Sequence, residues 1–140
     1  MKRLAFALAA VALSGGCNWL EDPPEEARLV ITGDAGKQVR LITATNFVAA
    51  VTEEGITRVV IIEADTTLIT LPHDRVYSLG DDQRFFAEAA RQDSDFQSIR
   101  MEVYIDARKQ FDERGALLAA QPYRFVYTFN QAITREIVVI

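Results

Sequence analysis

An all-β fold, an antiparallel sandwich or barrel, is what this sequence predicts, and three observations carry it. Strict two-residue alternation runs through "SIRMEVYID", residues 98–106, with Ile99, Met101, Val103 and Ile105 on one face and Arg100, Glu102, Tyr104 and Asp106 on the other. Strand-like runs recur along the chain, with turn residues between them. From Arg28 onward the chain is about 113 residues, enough for one core in a single domain.

Taken in order, "RLVITG" and "QVRLITAT" are two strands separated by "GDAGK", where Gly33 and Gly36 supply the positive φ of a tight hairpin reversal. "ITRVVIIEA" and "TTLITLP" follow the turn signal "EEG" at 53–55 as two strands, with a break at Glu63–Asp65. "RVYSL" is a short strand. "DDQRFFAEAARQ", 81–92, holds helix formers and N-cap candidates in Asp81 and Asp82. On a helix, Phe85, Phe86, Ala89 and Ala90 would share a face. Its neighbours are all strands, so 83–90 is read as strand. After 98–106, "PYRFVYTFN" places Tyr123, Phe125, Tyr127 and Phe129 on one side, and "TREIVVI" is a β-branched closing strand.

The start of the chain is different. Lys2 and Arg3 precede an apolar run, Leu4–Leu13, which ends in the small residues Ser14, Gly15 and Gly16. That is the layout of a cleaved signal peptide. The run is half the length of about 20 apolar residues that a spanning helix needs. The one cysteine comes next, and "LSGGC", 13–17, resembles the lipobox of bacterial lipoproteins. The family usually has Leu three residues before the cysteine, where this chain has Ser14. The resemblance implies cleavage after Gly16, lipid on the Cys17 thiol and acylation of the new amine. Asn18 in place of Asp leans toward the outer membrane, facing the periplasm. Residues 17–27, with Pro23, Pro24 and four acidic side chains, read as the lipidated cysteine and its extended tether. Residues 1–16 are then the signal peptide and 28–140 the folded domain.

Loss of Lys2 and Arg3 leaves 13 basic and 20 acidic side chains, a formal charge of −7. Such a chain repels phosphate backbones, so no nucleic-acid partner is expected. The expected partners are the membrane, through lipid on Cys17, and another envelope protein.

Sites of chemistry are sparse. "GDAGKQ" fails as a phosphate loop, because position 31 is Ile and position 38 is Gln. His73, the one histidine, lies in "LPHDR" beside Asp74, with no nucleophile motif and without the several His or Cys ligands of a zinc site, Cys17 being taken by lipid, and is read as a solvated turn residue. Asp93 and Asp95 lack the glycine and the later Glu of a calcium loop. No metal, cofactor or catalytic residue is assigned. The aromatic stripe is read first as core; Tyr123 and Tyr127, with hydroxyls that need partners, are the candidates for a partner-binding aromatic face.

From Arg28 to Asn130 the order of a strand ending in Gly33, "LP" at 71–72, "RFFAEA", "IRMEVYIDARKQF", a glycine turn and an aromatic strand resembles the MmpS-type periplasmic β-sandwich proteins that assist lipid-exporting pumps. The chain lacks that family's membrane anchor and cysteine pair. The resemblance implies an immunoglobulin-like β-sandwich. The expected role is binding or structural, without catalysis. The alternatives are an accessory subunit of an envelope transporter, then a hydrolase assembled from distant loops.

Overall fold

A computed structural model describes residues 22–92, 97–128 and 130–140. These residues form ten strands: β1 (Glu26–Gly33), β2 (Gln38–Val51), β3 (Thr57–Thr70), β4 (His73–Ser78), β5 (Phe85–Arg91), β6 (Ser98–Ile105), β7 (Arg108–Ala116), β8 (Tyr123–Thr128), β9 (Gln131–Ile133) and β10 (Ile137–Val139). One sheet has the order β4-β1-β6-β7 and the other β10-β3-β2-β5-β8-β9, with every pairing antiparallel except the parallel β10–β3. The expected signal peptide and Cys17 lie outside the described residues, and no helix among the described residues is long and apolar enough to cross a membrane.

Alternation builds the main core. Ala27, Leu29 and Ile31 of β1 and Ile99, Met101, Val103 and Ile105 of β6 point one way and are all nearly inaccessible. They meet Val39, Leu41, Phe85, Ala87, Ala89 and Phe125 from the second sheet. The alternating strand is therefore as the sequence reads up to Ile105, and Asp106 (φ 43°) belongs to the turn that follows. β1 starts two residues before Arg28, since Glu26 already pairs with Ser78 and Ala27 is fully buried.

A second apolar cluster lies on the opposite face of the six-stranded sheet. Ala44, Phe86, Val126 and Ile133 form one cross-strand row over β2, β5, β8 and β9. Val139, Val59 and Ala49 form another over β10, β3 and β2. The two rows belong to one cluster with Phe47, whose ring meets that of Phe86 edge-on at 6.3 Å.

A flat sheet could not make that contact. Five strand spacings separate β9 from β10, about 24 Å. Four residue steps separate Ile133 from Ile137, at most about 14 Å. The sheet therefore curls, and the far arm of the β2–β3 hairpin folds over its outer face. The backbone takes the bend at Thr43–Phe47, where the pairing register with β3 is irregular. Ala44 and Phe47 are an odd number of residues apart yet share one cluster, so the alternation slips by one between them, as a bulge requires.

Several sequence expectations change. β3 is one continuous strand, not two; Glu63 and Asp65 stay paired to β2 although exposed. Residues 85–91 are strand, and Phe85 to Ala90 are all buried because β5 is covered on both faces. "GDAGK" turns at Gly36 (φ 82°) but joins two different sheets, so it is an arch and not a hairpin. Gly33 is needed for space instead: a Cβ there would come within 2.7 Å of the Ser98 carbonyl oxygen. Gly115 sits inside β7, where a Cβ would meet the Tyr123 hydroxyl at 2.9 Å, so it makes no turn. The closing segment, 134–140, is strand only over Ile137–Val139 (β10), after a bend at Glu136 (φ 51°), and a further short strand, β9, precedes it.

Removing the Phe86 ring should cost about 3–5 kcal/mol, because neighbours on two strands lose their contact. Met101→Asp, which buries an unpaired charge, should cost at least as much. Val138→Thr, on an exposed side chain, should stay within about 0.5 kcal/mol. Urea melts of the three variants measure this, and comparable losses at Phe86 and Val138 would contradict a second core.

Candidate functional site

The outer face of the four-stranded sheet gathers most of the molecule's organised charge. The alternation that sends Leu29, Met101 and Val103 inward sends Arg28, Arg100, Glu102 and Tyr104 outward. Register places Tyr104 beside Arg28, Glu102 beside Asp112, and Arg100 beside Arg114. Arg100 grips Asp112 with two parallel hydrogen bonds, from Nε to Oδ1 at 2.8 Å and from Nη2 to Oδ2 at 2.7 Å. Lys109 Nζ donates to Asp112 Oδ2 at 2.8 Å and to Glu102, whose Oε1 also accepts from the Tyr104 hydroxyl at 3.0 Å. Arg28 pairs with Asp74, and both Arg28 and Lys109 lie over the Tyr104 ring, 5.9 and 5.5 Å from its centre.

Each group is held in its charged form. Hydrogen bonds from Arg100, then Lys109, keep the Asp112 carboxyl well below the usual carboxylate range. The bond from Lys109 does the same, more weakly, for Glu102. Arg100 and Lys109 are pushed up in return, chiefly by Asp112. These groups all move away from neutrality, so the lattice presents fixed charge and does not exchange protons near pH 7. Glu102 is also less solvated than its outward position implies, with its side chain only 12% exposed between Arg100 and Lys109.

At one end of the face a hollow of about 420 Å³ is lined by Thr32, Gly33, Asp34, Ser98, Arg100 and Arg114. Arg100 has its counter-ion in Asp112. Arg114, directly opposite, is exposed and no described residue pairs with it. Like charges directly opposite are unfavourable, and Asp34 in the lining of the same hollow adds a carboxylate of opposite sign.

The residues singled out in the sequence do not converge. Tyr127 is buried in the main core, 6% exposed, and its hydroxyl donates to Asn130 Oδ1 at 3.2 Å. Tyr123 packs half-buried against the same core. Tyr123, Phe125 and Tyr127 thus face inward, which leaves no open aromatic face at Tyr123 and Tyr127; Phe129 lies outside the described residues. His73 is not a turn residue: it opens β4 opposite Ile31, half-buried, with Nε2 3.4 Å from the Tyr77 hydroxyl. Burial, with Arg75 nearby, lowers its pKa and keeps the ring neutral. Asp81 and Asp82 lie in an exposed turn. Cys17, Asp93 and Asp95 lie outside the described residues, and among the described residues no group of three or more His, Cys, Asp or Glu could hold a metal. The lattice itself was missed, although "RKQFDERGA" carries its signal in the charges at Lys109, Asp112 and Arg114.

No protein-family model matches this chain, and neither does any curated protein or solved structure.

Arg100→Gln should raise the Asp112 carboxyl titration toward the ordinary value of about 3.9, followed by carboxyl-detected NMR. A depressed carboxyl pKa contributes stability above the unfolded value that is lost as pH falls through the folded one. The wild type should therefore be the more stable of the two above about pH 4, with the gap closing as pH falls below that, and a difference confined to acid pH would contradict the pairing.

Proposed function

We propose that this chain is a lipid-anchored envelope protein whose immunoglobulin-like β-sandwich serves binding or structural support, not catalysis. The observation that carries it is "LSGGC", set behind Lys2, Arg3 and a ten-residue apolar run. Asn18 after the cysteine supports the periplasmic face of the outer membrane. The two-layer packing of largely antiparallel sheets supports the immunoglobulin-like reading, with the β9–β10 crossing as an elaboration. The charged lattice supports binding over catalysis, since its groups are locked as ion pairs. An accessory role beside an envelope transporter is the second reading, and it rests on the spacing shared with the MmpS-type proteins.

The anchor fixes an orientation. Five residue steps lead from Cys17 to Asp22, at most about 18 Å. Asp22, Pro23 and Pro24 border a hollow of about 550 Å³ with Gln83, Asp106 and Asn130, at the end of the sandwich where β1 begins. Asp106 Oδ1 accepts from the backbone N–H groups of both Glu25 and Glu26 at 3.1 Å, so the tether is already docked at residue 25. On this reading that end stands next to the bilayer.

Cys17→Ser should release the protein from membranes into the periplasm or leave it unprocessed. Intact mass of the wild type should show two or three acyl chains on a chain that begins at Cys17. A free thiol there, in a protein that fractionates with membranes, would end the proposal.

A further inference from the structure

Every sheet edge must be paired, covered or made unattractive, because bare N–H and C=O groups recruit other strands. Five edge segments here follow that rule. β9 and β10 are three residues long. β4 carries His73, Asp74 and Arg75, and β7 carries Arg108, Lys109, Asp112, Glu113 and Arg114. The free side of β2 beyond its pairing with β5 is met by Arg84, whose Nη1 donates to the Phe47 carbonyl at 2.8 Å.

The edge of β3 is the exception. β10 covers Thr57–Val59, and from Val60 to Thr70 no strand among the described residues pairs with it. Those residues contain no Lys, Arg, Pro or Gly. Ile62 and Leu68 are 63% and 48% exposed. Beyond the irregularity near Glu63, Asp65–Thr70 is straight, paired residue for residue with Thr43–Gln38. Six such residues make a template about 20 Å long.

We propose that this edge, Asp65–Thr70, is a docking site for an extended segment of a partner protein, which adds to the six-stranded sheet as a further strand. Backbone bonds give such a mode its affinity and alternate side chains its specificity. One face of the added strand lies beside Thr66 and Leu68, and the other beside Asp65, Thr67 and Ile69. The segment that fits is apolar next to Leu68 and Ile69 and carries Lys or Arg next to Asp65. A second copy fits less well, because its edge brings Glu63 and Asp65 again with no cation from Val60 to Thr70 on either strand. The inference goes beyond the binding role proposed above and does not depend on lipid at Cys17.

Hydrogen exchange on the full chain tests it. The probes are short, blocked peptides of alternating threonine and valine, one with a central lysine and one with glutamate in its place. The lysine peptide should slow alternate amides across Asp65–Thr70 by about tenfold or more, equivalent to at least about 1.4 kcal/mol. The glutamate peptide should act much less. The double variant T66K/L68K, at two exposed positions, should keep its melting temperature and lose the protection. Absence of protection by the lysine peptide, or equal protection by both, would overturn the proposal. So would amides already protected in a chain that sediments as a dimer, because the edge would then belong to a second copy.

Discussion

Four residue steps between Ile133 and Ile137 set the shape of this molecule. They tie one edge of a six-stranded sheet to the other, and that sheet must curl to let them meet. Curling turns what would be a solvated outer face into the lining of a second core around Phe47, Phe86 and Val126. It also makes β5 a strand with no wet face, which is why it uses Ala87, Ala89 and Ala90 where bulk would not fit on both sides. The bend near Asn46 absorbs the geometry, because a straight 14-residue hairpin would carry its tip past the sheet.

Polar groups hold that closure where apolar contact ends. Glu88, on the curled face, is 6% exposed and accepts from Arg124 Nε at 2.7 Å. The same guanidinium donates through Nη1 to the Ile137 carbonyl at 3.0 Å, which fastens β8 to β10. Loss of one member of a buried pair costs about 3–5 kcal/mol, whereas an exposed pair is worth about 0–1. The two charge systems therefore do different work. Glu88–Arg124 secures the fold, while the Arg100–Asp112–Lys109 lattice sits in water and can meet a partner at little cost to stability.

How much of this the sequence discloses depends on how many faces of a strand see water. β6 has one wet face and one dry face, so "SIRMEVYI" reads correctly residue by residue, and only Asp106 falls in the turn beyond it. β5 has two dry faces, so helix and strand readings compete over "RFFAEAA". The middle of β3 has two wet faces; Glu63–Asp65 then looks like a break, although β2 satisfies its backbone. The bend before β10 falls at Arg135–Glu136, which carry no Gly or Pro signal. The charged lattice is legible as a row of outward positions, but not as ion pairs. Which charge lies opposite which depends on the registers of β1 with β6 and of β6 with β7, and one strand's sequence does not contain its partner's register.

The same logic bears on where a partner would approach. Both inner faces are used up, Tyr127 included, so recognition is left to the outer lattice, the strand edges and the ends. Under the proposed anchorage through Cys17, the end that holds Asp22, Glu25, Asp81, Asp82 and Asp106 would face the bilayer. Its acidic groups repel an anionic surface, which favours a domain that stands off the membrane over one that lies flat. Strands that start at that end would then run away from the membrane, with the lattice and the β3 edge along the sides of the domain. On that proposal, a partner could reach either one without displacing the tether.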